Sequence, residues 1–188
     1  MRDPTSIGAS QLAGIAIRQA GALRLGSGQA SDVEEVSAIL LEAARWLEGR
    51  GMAMWRDDEL GEERIRKDIE GGLFFLAHSM GSGQAVGTLK FQLEDRLFWP
   101  EAAEGEAAYV HRLAVRRRFA GGRVSTAMLR WAALHTQELG RRYLRLDCEA
   151  SRPHLRAVYE RFGFRFHSER QVGPYRVARY EYKVQRRS

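Results

Sequence analysis

The order of secondary-structure elements legible in the sequence predicts a mixed α/β fold. Three observations carry that expectation. Residues 109–115 form an apolar strand that passes through a basic turn into a small-residue loop and then a helix. Two apolar runs, 73–77 and 85–93, flank Gly81-Ser82-Gly83, the pattern of an antiparallel hairpin. The full order reads strand, two helices, three strands, helix, strand, helix, two strands. A doubly wound parallel sheet would instead alternate strand and helix throughout.

Residues 1–21 read as an irregular N-terminal extension, and 22–188 as one domain. Leu23-Arg24-Leu25 opens the domain as a short strand. Ser31 then reads as a helix N-cap, with Glu34 three residues on completing a capping box, and Val33, Val36, Leu40, Ala43 and Leu47 following at helical spacing. Gly49 and Gly51 stop this helix. A second helix spans 62–70, turns Ile65 and Ile69 inward, and ends at Gly71-Gly72. After the hairpin, an acidic loop with Glu101, Glu104 and Glu106 leads to the 109–115 strand. The next helix sets Val124, Ala127, Met128, Trp131 and Leu134 on one face and ends at Gly140. Residues 143–148 form a strand. A short helix with Pro153 in its first turn then carries Leu155, Val158, Tyr159 and Phe162 and closes at Gly163. Two last strands are expected at 164–167 and 176–184.

The chemistry concentrates after the 109–115 strand. Arg116-Arg117-Arg118-Phe119 is a basic turn, and Ala120-Gly121-Gly122-Arg123-Val124-Ser125-Thr126 is a loop at a helix start. A strand feeding such a loop lets backbone N–H groups converge on one anion, and the helix dipole favours negative charge there. Two glycines permit close backbone approach. The segment therefore reads as a pyrophosphate site, with Arg118 and its neighbours available to a phosphate.

Composition narrows the choices. A chain of 188 residues can bury a sizeable core, and 44% hydrophobic with 29% charged residues is ordinary for a soluble protein. The single cysteine, Cys148, excludes an intramolecular disulfide, is expected to be a buried strand residue, and fits a reducing cytoplasm. No metal site is expected, because the five histidines show no ligand spacing with one another or with Cys148. No apolar run reaches the roughly 18 residues of a membrane helix. Gly8, Ser10, Gln11 and Gly14 interrupt the mildly apolar 7–17 stretch, so no signal peptide is expected. The net charge of +6 suits a polyanionic partner. A phosphorylated cofactor explains it more simply than nucleic acid, for which no helix–turn–helix or aromatic strand signature is present.

Element order and loop together resemble the GCN5-related N-acetyltransferase family over about residues 22–184. The strand ending Leu113-Ala114-Val115, the loop from Ala120 through Ser125, and Tyr159-Glu160-Arg161-Phe162-Gly163-Phe164 carry the resemblance. It implies a mostly antiparallel, twisted sheet flanked by helices on both faces, and acetyl-coenzyme A with its pyrophosphate at the loop. The implied cofactor contacts are Leu113, Ala114, Val115, Arg118, Ala120, Gly121, Gly122, Arg123, Val124, Ser125 and Thr126. The loop departs from the family pattern of Arg/Gln-x-x-Gly-x-Gly/Ala. Ala120 replaces the Arg or Gln, Arg123 the glycine, and Ser125 the last small residue. Arg123 either adds a charge-assisted phosphate contact or crowds the ligand.

The implied reaction is transfer of an acetyl group to a primary amine by direct attack, without an acyl-enzyme. Tyr159 matches the family's general acid, a phenol that keeps its proton for a departing thiolate. His111, which titrates near neutrality and shares a strand face with Tyr109 and Leu113, is the candidate base; Asp147 and Glu149 are further ones. Trp55 and Trp99 fall where the family's acceptor pocket lies and are assigned either to substrate or to core, whereas Trp131 is core. Glu101, Glu104 and Glu106 offer charge to a cationic acceptor. Two other readings stay open: a coenzyme A-binding relative with lost or regulatory activity, and a basic nucleic-acid-binding protein. The family's last strands often pair between subunits, which implies a possible homodimer. The acceptor is not legible.

Overall fold

The computed structural model describes residues 23–55, 59–121 and 123–185. The extension expected at 1–21 lies outside them, as does Gly122 of the loop. Seven strands form one sheet in the order β1-β2-β3-β4-β5-β7-β6. They are β1 Leu23–Ser27, β2 Phe74–Ser79, β3 Ala85–Gln92, β4 Ala107–Val115, β5 Tyr143–Glu149, β6 Arg165–Val172 and β7 Tyr175–Lys183. Four helices accompany them: α1 Val33–Glu48, α2 Glu62–Glu70, α3 Arg123–Glu138 and α4 Pro153–Phe162. β1–β2, β2–β3, β5–β7 and β6–β7 pair antiparallel, and β4–β5 pairs parallel. The sheet is mixed and mostly antiparallel, as expected.

The chain divides into two compact units, and β3, β4 and α3 each pass from one to the other. The first comprises the described residues among 1–90 and 112–127. Its core joins Val33, Val36, Ile39 and Leu40 of α1 to Ile65 and Ile69 of α2, Phe74 and Leu76 of β2, and Ala114 of β4. The 3.6-residue period of α1 produces this stripe, and the two isoleucines of α2, four residues apart, meet it from a second helix. The expected cap moves upstream. A 3-10 turn at Ala30–Asp32 precedes α1, and the backbone N–H of Gln29 donates to Asp32 Oδ2 at 2.7 Å, so Ser31 is not the N-cap.

The second unit comprises residues 91–111 and 128–188, of which 186–188 are not described. β4 and β5 share four rungs, from Ala107↔Tyr143 to Val110↔Leu146. α4 begins at Pro153 and ends where Gly163 takes φ 114, a left-handed stop that a side chain would strain. β6 continues to Val172, past the four-residue strand expected, because it hydrogen-bonds to β7 along its whole length with one register shift. Phe166 lies half exposed on this edge strand. Strict alternation in β4 stops after His111: Arg112 adopts φ 51, so the expectation that His111 and Leu113 share a face loses its basis.

The α3 stripe differs from expectation at one position. Met128 and Trp131 are buried, but Leu134 is exposed and the buried place is taken by His135. His135 stacks on Trp131 and packs against Phe91. Burial lowers the pKa of its imidazole, which favours the neutral ring. Met128→Ala is therefore expected to cost about 2–5 kcal/mol in chemical denaturation, the range for emptying a packed site. Leu134→Ala should stay within about 0.5 kcal/mol of wild type.

Candidate functional site

The first unit holds the turn and loop. Arg116 leaves β4 and reaches α1, where its guanidinium donates to Glu35 Oε1 at 2.6 Å and Glu42 Oε2 at 2.9 Å. Glu42 Oε1 also accepts the backbone N–H of Arg117 at 2.6 Å. The Arg117 side chain stacks on Trp46, 3.6 Å from the ring centre, and Arg50 stacks on the same ring at 4.0 Å. Two of the three arginines of the basic turn thus tie the turn to α1. Arg118 differs: it is exposed, lies over the Phe119 ring, and donates to the neutral Gln84 Oε1 at 2.8 Å. Its hydrogen-bond partner is thus a neutral amide, where Arg116 pairs with two carboxylates.

Beyond Phe119 the backbone opens. Ala120 is exposed and extended, and Gly121 takes φ 131 with open space where a Cβ would stand. α3 begins at Arg123, so Val124, Ser125 and Thr126, expected in the loop, form its first turn. α1 and α2 each start with two glutamates, whereas α3 starts with an exposed cation and no acid. No acid in its first turn offsets the positive end of its dipole. Leu113 and Val115 are half-buried and Ala114 is buried, ending β4 just before this turn. An open, glycine-bearing approach to an uncompensated helix start fits a pyrophosphate. Trp55, with φ 60, packs partly buried against the core of the first unit.

The second unit holds the titratable groups. His111 Nε2 faces Asp95 Oδ2 at 3.2 Å, and its Nδ1 faces Asp147 Oδ1 at 3.5 Å. Phe98 packs on the imidazole, and its backbone N–H donates to Asp95 Oδ1 at 3.1 Å. Burial pushes the Asp147 carboxyl up from 3.8 to about 6, and Asp95 adds to the rise, while His111 and Arg179 oppose it. Asp95 was not marked in the sequence. The ligand-capable atoms of all three residues lie within 4.8 Å of one another, a cluster that histidine spacing could not show because two carboxylates on other elements complete it.

Several expectations change here. Trp99 is 1% exposed, with Arg145 and Arg179 guanidiniums 4.8 and 4.6 Å from its ring centre and Tyr109 and His167 against it. It is a core residue, too enclosed to line a substrate pocket. Glu101 pairs with Arg179 and Glu106 with Arg145, so two of the three loop acids balance internal arginines and are not free for an acceptor. Tyr159 is buried between Phe164 and Tyr180. Burial raises its phenol well above the ordinary 10, which keeps the proton on Oη. Cys148 is buried and its thiol is pushed up to about 12, consistent with a strand residue and not with a nucleophile. No described helix is long and apolar enough to cross a membrane.

Comparison with known proteins settles the family. The model of the acetyltransferase (GNAT) family matches residues 38–164. The chain belongs to the GNAT family. It is an N-acetyltransferase by that membership, and acetyl-coenzyme A is the family's acyl donor. A similar curated protein is the uncharacterized N-acetyltransferase YesJ of Bacillus subtilis (strain 168), 35% identical over 141 residues, covering 72% of this chain and 77% of that protein. A GNAT acetyltransferase from Listeria monocytogenes 4b F2365 is similar in structure, with a TM-score of 0.73, 26% identity, and coverage of 86% and 95% of the two chains. The PaiA N-acetyltransferase of Thermoplasma acidophilum, solved with coenzyme A, shares the fold at a TM-score of 0.66 and 13% identity, over 85% and 99% of the chains.

The raised Asp147 carboxyl has a consequence for this acetyltransferase's stability. A folded-state pKa of about 6 against 3.8 means that ionising Asp147 disfavours the fold as pH rises through that window. Asp147→Asn removes the charge. Relative to wild type the variant should gain stability above pH 6, on the order of 1–3 kcal/mol, and lose that advantage below pH 4. Urea denaturation at pH 4 and pH 8 measures the difference.

Proposed function

We propose that this GNAT protein transfers acetyl from acetyl-coenzyme A to a primary amine by direct attack, with the donor's pyrophosphate at the Gly121–α3 junction. The observation that carries the placement is the open backbone at Gly121 beside a helix start that has no acid of its own. Gly121, Gly122, Ser125 and Thr126 would offer backbone or hydroxyl donors there, with Arg118 and Arg123 as cations, Ala120 and Val124 as small or apolar walls, and Leu113, Ala114 and Val115 as the strand backbone alongside the acyl arm. When bound, the donor supplies the activated thioester. Tyr159 holds a proton at Oη for the leaving sulfur, and the His111 cluster receives the proton of the amine. Trp55 stands near the α1–α2 segment as an acceptor contact.

The lone buried thiol suits a reducing, cytoplasmic setting. The exposed edge strand β6 supports a homodimer built by strand pairing. The acceptor is a small-molecule or peptide amine, and a thiol-release screen over an amine library identifies it.

Acetyl-coenzyme A should raise the melting temperature by mass action. Gly121→Asp should abolish that shift, while Gly121→Ala, which adds backbone strain without charge, should keep part of it. No shift in wild type at millimolar donor would remove the assignment. If Arg123 contacts phosphate, Arg123→Gly weakens donor binding by about 1–3 kcal/mol; tighter binding would show that it obstructs.

Tyr159→Phe keeps the ring and removes one hydroxyl. kcat should fall about 10²–10⁴-fold with acceptor KM little changed, the signature of a group acting in the transition state. An unchanged kcat, with chemistry rate-limiting, would return Tyr159 to a packing role.

A further inference from the structure

His111 is faced by a carboxylate at each ring nitrogen, Asp95 Oδ2 at 3.2 Å from Nε2 and Asp147 Oδ1 at 3.5 Å from Nδ1. A neutral imidazole has one lone pair, and a protonated one has none. Whichever nitrogen carries the lone pair here, an acidic oxygen lies within 3.5 Å of it. A lone pair against an ionised oxygen is repulsive, so the arrangement is relieved when the three residues share one further proton. Asp95 is nearly enclosed. Its Oδ1 accepts the N–H of Phe98, its Oδ2 faces the imidazole, and its side chain is 4% exposed. Asp147 is different: Oδ1 is buried 3.5 Å from the ring nitrogen without a hydrogen bond, while Oδ2 is not among the fully buried unpaired atoms and no described residue donates to it.

We propose that Asp95, His111 and Asp147 act as one proton-accepting unit whose open end is Asp147 Oδ2, the atom that takes the proton from a protonated primary amine. Asp95 is a positioning residue that pins the ring, and His111 shares the charge that Asp147 gains and loses. The inference rests on the acetyltransferase reading and adds the state in which the acceptor arrives, as an ammonium ion drawn to a carboxylate. The ammonium N–H bond breaks, its electron pair stays on nitrogen, and the proton passes to Oδ2. After transfer the unit returns that proton to solvent, and nothing is oxidised or reduced.

The neighbouring charges are consistent with this role. Arg179 of β7 also opposes the rise of the Asp147 carboxyl, and its guanidinium is held by Glu101, Ser168 Oγ and the carbonyl of Phe98. Tyr109 of β4, Cys148 of β5 and Tyr159 of α4 also lie within electrostatic reach of these carboxylates, and burial raises the pKa of all three, so they are neutral. A divalent cation is the competing occupant, since the donor atoms lie close together. It would have to choose one ring nitrogen, and the two nitrogens lie beside different carboxylates.

The test has two arms. In the first, the free protein is labelled with ¹⁵N-histidine, and the His111 ring signals are followed with pH in wild type and Asp95→Asn. A pinned ring gives signals that change at fixed pH when Asp95 loses its charge. Ring signals like those of free histidine in both proteins would overturn the unit, and this arm needs no acceptor. In the second arm, kcat/KM against pH is measured with the amine giving the fastest thiol release.

Asp147→Asn should lower kcat/KM about 10²–10⁴-fold and remove the acid limb of the profile, leaving the donor-induced thermal shift intact. Asp95→Asn should move that limb about one unit to lower pH, because a neighbouring negative charge is gone, and Asp95→Glu should return it toward wild type. Full activity and an unmoved limb in Asp147→Asn, with both lost in His111→Ala, would place proton acceptance on the ring itself and overturn the proposal. So would activity that a chelator abolishes and zinc restores. If no amine in the library releases thiol while the ring proves pinned, the acetyltransfer reading fails in this form and the paired geometry stands, which separates the two.

Discussion

Arg116 fixes the shape of the turn that leads to Gly121 and the start of α3. One guanidinium satisfies two glutamates a pair of helical turns apart on α1, and one of those glutamates also takes the backbone N–H of the next residue. The pairs are partly exposed, so their net contribution to stability is modest. Their geometric effect is larger. A turn joined to a helix by side chain and backbone together has few alternative conformations, and Gly121 and the start of α3 follow it within a few residues. The loop can then be glycine-rich and open without being shapeless, which lowers the entropy lost when an anion is bound.

The second unit shows the same economy of charge. Arg145 and Arg179 bring guanidiniums against the face or edge of one buried tryptophan and are balanced by Glu106, Glu181 and Glu101. Several arginines of this chain are thus structural ions with named partners and not free surface cations. Buried pairs of this kind stabilise little by themselves, yet breaking one leaves an uncompensated charge. The loop carrying Asp95, Phe98 and Glu101 is therefore constrained from several sides, and Asp95 keeps its aim at His111.

Much of the fold was legible because periodicity and punctuation agree with it. The bounds of α2 follow from Ile65, Ile69 and two glycines, and the stop of α4 follows from Gly163. The misplaced cap at Ser31 reflects local competition: Gln29 and Asp32 offered the same chemistry two residues earlier, and a 3-10 turn took it. Leu134 fell outside the stripe because a helical face drifts, and a neutral histidine stacked on Trp131 filled the inward position. The open glycine approach to a helix start could be read from the loop. The Asp95–His111–Asp147 cluster could not, since the three lie on separate segments and only the folded sheet and its covering loop bring them together. Trp99 misled for a related reason: a tryptophan in a loop gives no sign that two arginines from distant strands will close over it.

The stack of Arg50 and Arg117 on Trp46 has an optical consequence. An indole in contact with guanidinium groups has an emission that depends on how closely they sit, and Arg117 is part of the turn that leads to the loop. Any ligand that reshapes the turn alters the company this ring keeps. Trp46 is an intrinsic probe built into the protein, placed to report on the turn by fluorescence while the chemistry proceeds elsewhere.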